Sequence, residues 1–583
     1  MRALALAAVF SKALRTVTPT RVKGFPMRDD ALLQQWQQRL QHAAGQPLPA
    51  NIPQLFSQAT ASQPDRVLMD LFEDGQRLTY AEFDALSNQL ATSLQAAGVQ
   101  AGMHVAVMLP NGLQWHLTWL AVLKLGAAVV PVNPSYTVRE VEYVLTDAQV
   151  SAWVLGTERV ELLKQITDWP ASLARQRIWV TANRLGEDSS WQRLLNASPA
   201  GSHPTPAVPQ PGLDTLANIQ YTSGTTGFPK GCLLTHGYWL NLAQAACLMH
   251  PEPAPGQVQM QRFFTAQPFF YMDPFWQLLM TAMCCGTLVA ARKISATRFL
   301  GWLADHQIDW AQLPELALKS IDSVQGRTLA LREVFTFGWS AESRQIFVQR
   351  FQVPAVESFG MTEIGLGLVM PNNYPSAAKP TSVGLAGLRR QARIVDDAGQ
   401  PVGPGVTGEL QIRGDHLFKG YFNKPQANAE VFDGDWFRTG DAFVQDEDGF
   451  YRIVGRFKDM IRRSNENIAA REVEAVVREL GAVLDCAAVP VPDPVRKEEV
   501  KIMVQVRPEL LTDGKTPREV LPVDQLLTHC QGALAPFKVP RYVQFVTDFP
   551  RTSSNKIIKH QLINTSGSPL SRSFDRVQGV WHT

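Results

Sequence analysis

Residues 216–231 read Leu-Ala-Asn-Ile-Gln-Tyr-Thr-Ser-Gly-Thr-Thr-Gly-Phe-Pro-Lys-Gly. Leu216 to Tyr221 form a short strand-like run that feeds a glycine-rich loop. Gly224, Gly227 and Gly231 permit backbone conformations closed to other residues and let the main chain approach a ligand. Thr222, Ser223, Thr225 and Thr226 supply hydroxyl groups, and Lys230 supplies a mobile positive charge. These are the parts of a phosphate cradle. A strand before the loop and a helix beginning near Gly237 would put it at the carboxyl end of a sheet strand, where α/β folds bind ligands. The spacing of glycines, lysine and hydroxyls is not the Walker pattern.

Outward from the loop, helical and strand patterns alternate. Thr79 with Glu82 three residues later predicts a capped helix start, continued by Phe83, Leu86, Leu90 and Leu94 at helical spacing. Val105 to Leu109 and Ala128 to Val132 read as buried strands, with a helix from Trp115 to Leu125 between them. Such units imply a parallel sheet covered by helices. From Gln391 to Arg413 the pattern becomes all-β, with turns at Asp396 to Gly399 and Gly403 to Gly405. Beyond a charged connector at Gly455 to Asp459 lie a helix (Ala470 to Leu480), strands (Ala487 to Val491, Lys501 to Val506) and a further helix (Val523 to Ala533).

The chain has 583 residues, too many for one ordinary core. A net charge of +2 with 45% hydrophobic residues gives no reason to expect a nucleic-acid or membrane-surface partner. No apolar run is long enough to span a bilayer. Six cysteines without metal-site spacing read as free thiols in a reducing compartment, so a cytoplasmic location is expected. The expected fold is α/β: a large N-terminal domain of layered α/β sheets plus a β-subdomain, and a small mobile C-terminal α+β domain. The expected boundaries are an extension or targeting segment at 1–26, the large domain at 27–455, the mobile domain at 456–565 and a disordered, Ser-rich tail at 566–583.

The loop resembles the phosphate loop of the AMP-forming adenylating superfamily, which includes acyl-CoA synthetases, peptide-synthetase adenylation domains and beetle luciferases. Further ordered matches are Ser358 to Glu363, Trp436 to Asp441, Gly455 to Asp459 and Pro550 to Ile557. The resemblance runs from about residue 51 to 562 and implies a reaction in two halves. A carboxylate first attacks the α-phosphorus of ATP, and a thiol then displaces AMP. It implies ATP, Mg²⁺ and coenzyme A as cofactor and co-substrates. Residue by residue it implies nucleotide contacts at Thr222, Ser223, Gly224, Thr225, Thr226, Gly227, Lys230 and Gly338. Thr362 would face the α-phosphate, Glu363 would hold Mg²⁺, and Asp441 would accept the ribose hydroxyls. Arg456 would contact ribose and phosphate, and Lys556 would neutralise charge during adenylation. Lys458 would be the hinge about which the small domain rotates, removing Lys556 and bringing Ser464 and Asn465 to the coenzyme A tunnel. Asn465 stands where the family commonly has glycine, and Tyr271 where it usually has histidine.

The same resemblance places the acid between Tyr271 to Trp276 and Phe337 to Ser340. Phe337 and Trp339 are bulky there and shorten the pocket. Tyr271, Phe275, Trp276, Phe337 and Trp339, with Asp273, also have the makings of an aromatic box for a cation. This segment resembles that of bacterial carnitine/crotonobetaine-CoA ligases. The resulting expectation is an acid–CoA ligase acting on a short or medium, polar or betaine-like acid. An amide-forming synthetase and a non-catalytic nucleotide-binding homologue are the alternatives.

Overall fold

A computed structural model describes residues 30–582 except 206–209, 223–228, 251–259, 372–373, 375–378, 397, 457–459, 465, 552–556, 558 and 564–569. At 454–456, 460, 467, 469, 471, 513 and 560 it describes the main chain alone. The expectations for Ser223, Gly224, Thr225, Thr226, Gly227, Lys458, Asn465, Lys556 and the 1–26 extension lie outside the described residues.

Two large, mostly parallel sheets dominate the chain up to Val369. One has six strands and contains His104–Met108, Ala128–Pro131 and Leu216–Thr222; the other has nine and contains Arg262–Thr265, Glu333–Phe337 and Ala355–Met361. Strand periodicity assigns their two faces. Val105 and Val107 enter a central core, whereas Ala106 and Met108 enter an outer one. In the other sheet Phe263 faces the centre and Phe264 the outside. Helices fill the centre, among them Ile52–Ser62, Tyr80–Ala96, Leu113–Lys124, His236–Met249 and Met272–Met283. Every residue from Leu113 to Leu123 is buried, which explains why that helix is apolar on all sides. The cap expected at Thr79 forms, with Glu82 accepting from the Thr79 main-chain N–H at 2.8 Å.

A five-stranded, largely antiparallel sheet follows, built on Arg390–Val395, Gly408–Gly414, Trp436–Gln445 and Tyr451–Arg456. The remaining chain forms a seven-stranded sheet with its own core, packed by the helices Ala470–Arg478 and Val523–Ala533. Its long hairpin joins Val483–Asp493 to Lys497–Val506.

The tail departs from expectation. Phe574–Asp575 and Val580–Trp581 extend the last sheet from Tyr542–Phe545. Asp575 receives the Arg541 guanidinium, and the Arg518 guanidinium lies 3.3 Å from the centre of the Trp581 ring. The serine content suggested disorder, but Phe574 and Trp581 are anchors enough to hold this strand pair.

Candidate active site

The phosphate loop joins two antiparallel strands, not a strand and a helix. Leu216–Thr222 pairs with Lys230–Thr235 so that Thr222 stands opposite Lys230 and Tyr221 opposite Gly231. The helix begins one strand later, at His236. Cys232 to Leu234 add the intervening strand, an apolar stretch too short to separate from the helix by periodicity. Gly231 is required by packing. A Cβ there would lie 2.6 Å from Ile219 Cγ2 and 3.2 Å from the Tyr221 ring.

Both ends of the loop are tied to the helix Val138–Asp147. The Tyr221 hydroxyl donates to Asp147 Oδ2 at 2.8 Å, and Asp147 also pairs with Lys424. The Tyr143 hydroxyl donates to the Pro229 carbonyl at 3.0 Å. These ties fix where the loop leaves and re-enters the sheet.

Glu363 follows the strand Ala355–Met361 and is 7% exposed. Its Oε1 accepts from the Tyr421 hydroxyl at 2.7 Å. The Tyr421 ring lies 5.0 Å from Lys230 Nζ. The segment that carries Tyr421 is pinned along the loop's second strand, with Phe422 N–H donating to Gly231 O at 2.8 Å and Leu233 N–H to Gly420 O at 3.0 Å. Tyr421 therefore joins the lysine at the loop's exit to the carboxylate assigned to Mg²⁺. Among the described residues no cluster of three or more acidic, histidine or cysteine side chains forms a metal cage. One carboxylate beside a phosphate loop is the donor set that Mg²⁺ takes when substrate phosphates and water complete its shell. Thr362, half-buried, occupies the turn immediately before Glu363.

Replacing Tyr421 with Phe is expected to lower ATP–pyrophosphate exchange at limiting Mg²⁺ about tenfold, the low end for losing a hydrogen bond to a charged group. Unchanged exchange would show that the phenol does not orient Glu363.

Asp441 and Arg456 are brought together across strands: they are register partners between Trp436–Gln445 and Tyr451–Arg456. Gly338 follows Glu333–Phe337 with φ of +66° and donates its N–H to Glu357. A Cβ on Gly338 would sit 3.3 Å from Arg462 Nη1.

Tyr271 precedes the helix Met272–Met283 as its N-terminal cap residue. Gln220, one residue before the loop strand's Tyr221, donates to Phe270 O at 3.0 Å and so couples this segment to the loop. Asp273 Oδ1 accepts from Trp276 Nε1 at 3.1 Å, and burial pushes its carboxyl above the usual carboxylate range. Trp276 packs edge-on against Trp310 and Phe335, with ring centroids 5.8 and 6.1 Å away. Phe335 in turn packs on Phe337 at 4.7 Å. Phe275 and Trp339 are not among them. The Phe275 ring packs on Trp115, Trp119 and Trp239 in the central core, with ring centroids 4.9, 5.2 and 5.2 Å away. The Trp339 ring packs on Phe347 in the outer core, and its Nε1 donates to Leu313 O at 3.0 Å. The left-handed turn at Gly338 breaks strand alternation and sends the next side chain to the other face. Trp310 and Phe335 stand where Trp339 was expected; their own strands carry them to the central face.

The Tyr271 hydroxyl donates to Glu466, a residue more than 190 positions later. Glu466 lies on the hairpin Met460–Arg463 and Glu466–Ala469, whose turn includes Ser464 with φ of +57°. The hairpin expected at the thiol tunnel thus reaches the segment expected to border the acid.

A connection between paired strands beside a seated carboxylate, at the carboxyl ends of stacked α/β sheets, is where α/β folds bind phosphate-bearing ligands. Residues 56–422 match the AMP-binding enzyme family and residues 472–556 the AMP-binding enzyme C-terminal domain. The chain belongs to that family, and it is an AMP-forming ligase. A crotonobetaine/carnitine–CoA ligase of Escherichia fergusonii is 30% identical over 505 residues, covering 83% of this chain and 93% of that protein. That of Proteus mirabilis is 30% identical over 510 residues, covering 84% and 95%. Among solved structures, an o-succinylbenzoate CoA synthetase of Bacillus subtilis superposes with a TM-score of 0.75 at 23% identity, covering 88% of this chain and 98% of that one. A fatty acyl CoA synthetase of Mycobacterium tuberculosis gives 0.63 at 25% identity, covering 88% and 97%. No helix among the described residues is long and apolar enough to cross a membrane.

Proposed function

We propose that this chain is an ATP-dependent acid–CoA ligase that works through an acyl-adenylate on a short, polar, betaine-like carboxylic acid. The observation that carries the choice of acid is Asp273, a carboxylate bonded to Trp276, the first ring of a cluster that continues through Trp310, Phe335 and Phe337. A quaternary ammonium is attracted to ring faces and gains further from a carboxylate beside them. A bound cation would also draw the Asp273 carboxyl back toward its ionised form. The 30%-identical relatives named crotonobetaine/carnitine–CoA ligases support the same reading.

In the first half-reaction an oxygen of the acid bonds to the α-phosphorus and the bond to pyrophosphate breaks. The loop's donors and Lys230 would hold phosphate oxygens as charge gathers on them. Glu363 would hold Mg²⁺, which supplies neutralising charge when bound. Asp441 and Arg456 would fix the ribose. In the second half-reaction the coenzyme A sulfur bonds to the acyl carbon and the bond to AMP breaks. The small C-terminal unit would turn about Lys458 between the steps, exchanging Lys556 for the hairpin at Ser464 and Asn465.

A panel of acids in a pyrophosphate-release assay tests the substrate class. Quaternary-ammonium acids such as crotonobetaine are expected to outpace medium-chain fatty and aryl acids, and Asp273→Asn is expected to raise KM for them about tenfold. Faster turnover of fatty or aryl acids would sink the box. Pyrophosphate release without coenzyme A consumption would move the acceptor from a thiol to an amine.

A further inference from the structure

We propose that Lys538 and Glu140 are positioning residues for thiol transfer. Through the buried triad Glu140–Lys538–Glu472 they seat the small unit on the large one with the Glu466 hairpin at Tyr271. The inference rests on the two-step ligase reading above.

Lys538 belongs to the small unit and is 2% exposed. Its ammonium donates to Glu140 Oε1 at 2.9 Å and to Glu472 Oε1 at 2.7 Å, and lies 4.9 Å from the Tyr136 ring centre. Glu140 is on the large unit's helix Val138–Asp147 and is itself held. Its other oxygen accepts from Thr137 N–H at 2.9 Å and Oγ1 at 3.0 Å as the helix cap. Thr137 and Glu140 follow the capping pattern, so the carboxylate is pre-oriented before the lysine arrives. The adjacent Arg139 pairs with Glu479 of the small unit, through Nη1 at 2.9 Å to Oε2.

A buried ammonium is costly unless its partners are present and well placed. One of the two partners comes from the other unit, so the cost is met in full only when the units are seated. Once apart, Lys538 and Glu140 regain water. A seating that buried Lys538 away from Glu140 would leave the ammonium short of a partner, so the triad selects this packed arrangement over others. It also reaches the site directly. Glu472 is in the first turn of Ala470–Arg478, which follows without a break from the hairpin strand Glu466–Ala469. Seating Glu472 fixes the hairpin that carries Glu466 to Tyr271.

Two measurements test this. Lys319 Nζ lies 3.4 Å from Pro494 O, an exposed contact between the units that is independent of the triad. With Cys247, Cys284 and Cys285 changed to Ser, a Lys319→Cys/Pro494→Cys chain treated with a short bismaleimide reports seating without any substrate. Lys538→Met, which strands two buried carboxylates, is expected to cut the cross-linked fraction at least fivefold. Adding Glu140→Gln and Glu472→Gln, which removes the stranded charges but supplies no attraction in their place, is expected to leave it low. An unchanged fraction in Lys538→Met would overturn the proposal, as would full recovery in the neutral triple variant, which would show that the units seat without the triad. The second measurement uses Glu140→Gln, which keeps a cap oxygen and loses the charge. With the acid the panel turns over fastest, thioester formation from preformed acyl-adenylate is expected to fall about tenfold while ATP–pyrophosphate exchange stays within twofold. Equal loss in both half-reactions, or none in either, would overturn it. If no acid supports exchange in the parent enzyme, the ligase reading fails, and the cross-linking still decides whether the triad seats the units.

Discussion

Glu363→Gln is expected to lower ATP–pyrophosphate exchange by about 10² to 10³-fold at saturating ATP, the loss typical of removing one group aimed at charge developing on a reacting centre. Glutamine preserves the volume and an oxygen for the Tyr421 hydroxyl, so the segment pinned along the loop strand should stay in place. What it removes is the negative charge. Among the described residues no cluster of three or more acidic, histidine or cysteine side chains forms to hold the ion in its place. Metal affinity should therefore fall with rate, and raising Mg²⁺ should recover part of the activity. The measurement is exchange as a function of Mg²⁺ at fixed ATP. A variant with a normal Mg²⁺ midpoint and a normal rate would remove Glu363 from the metal site.

The loop was singled out by its own glycines, hydroxyls and lysine, whereas Glu363 and Asp441 were named only because the short motifs around them resemble those of the family. Tyr421 was missed. Its only local signal is an aromatic ring among aromatic neighbours, and its meaning comes from pairing with the loop strand and from Glu363, 58 positions away. Trp339 was misplaced because the resemblance named the whole segment Phe337 to Ser340, and the positive φ at Gly338 turns the residue after it to the other face. The strand at Cys232 was lost between two stronger signals, the glycine-rich loop and the helix. Lys538 is the opposite case from an exposed lysine. Pattern reading assigns charged residues to solvent, and only the packed structure shows two carboxylates converging on this one. The alternation of buried strands and helices carried the fold class because parallel sheets buried on both faces leave that trace in sequence. The layering needed the structure, since facing assignments depend on which sheet each strand joins.

Asp441→Ala is expected to raise KM for ATP by about 100-fold and to change kcat less than threefold. The reason begins with the strand. Asp441 is 3% exposed and lies on Trp436–Gln445 within a register shift against Gly408–Gly414 and just before a second one against Tyr451–Arg456. Gly440, with φ of +67°, takes up the extra length, and Thr439 locks it by donating to Leu410 O at 2.7 Å. Bulges of this kind re-aim a side chain beside a site. The carboxylate so aimed can accept both hydroxyls of a ribose, each hydrogen bond to charge contributing about 1.5 kcal/mol or more. A ribose does not change during attack at phosphorus, so this binding is equal in the ground and transition states and appears in KM. The control is 2′-deoxy-ATP. It should bind the parent enzyme more weakly than ATP, yet bind Asp441→Ala almost as well as ATP does, because the acceptor is already gone. If the variant still discriminates between the two nucleotides as the parent does, the ribose is held elsewhere and Asp441 serves only the strand.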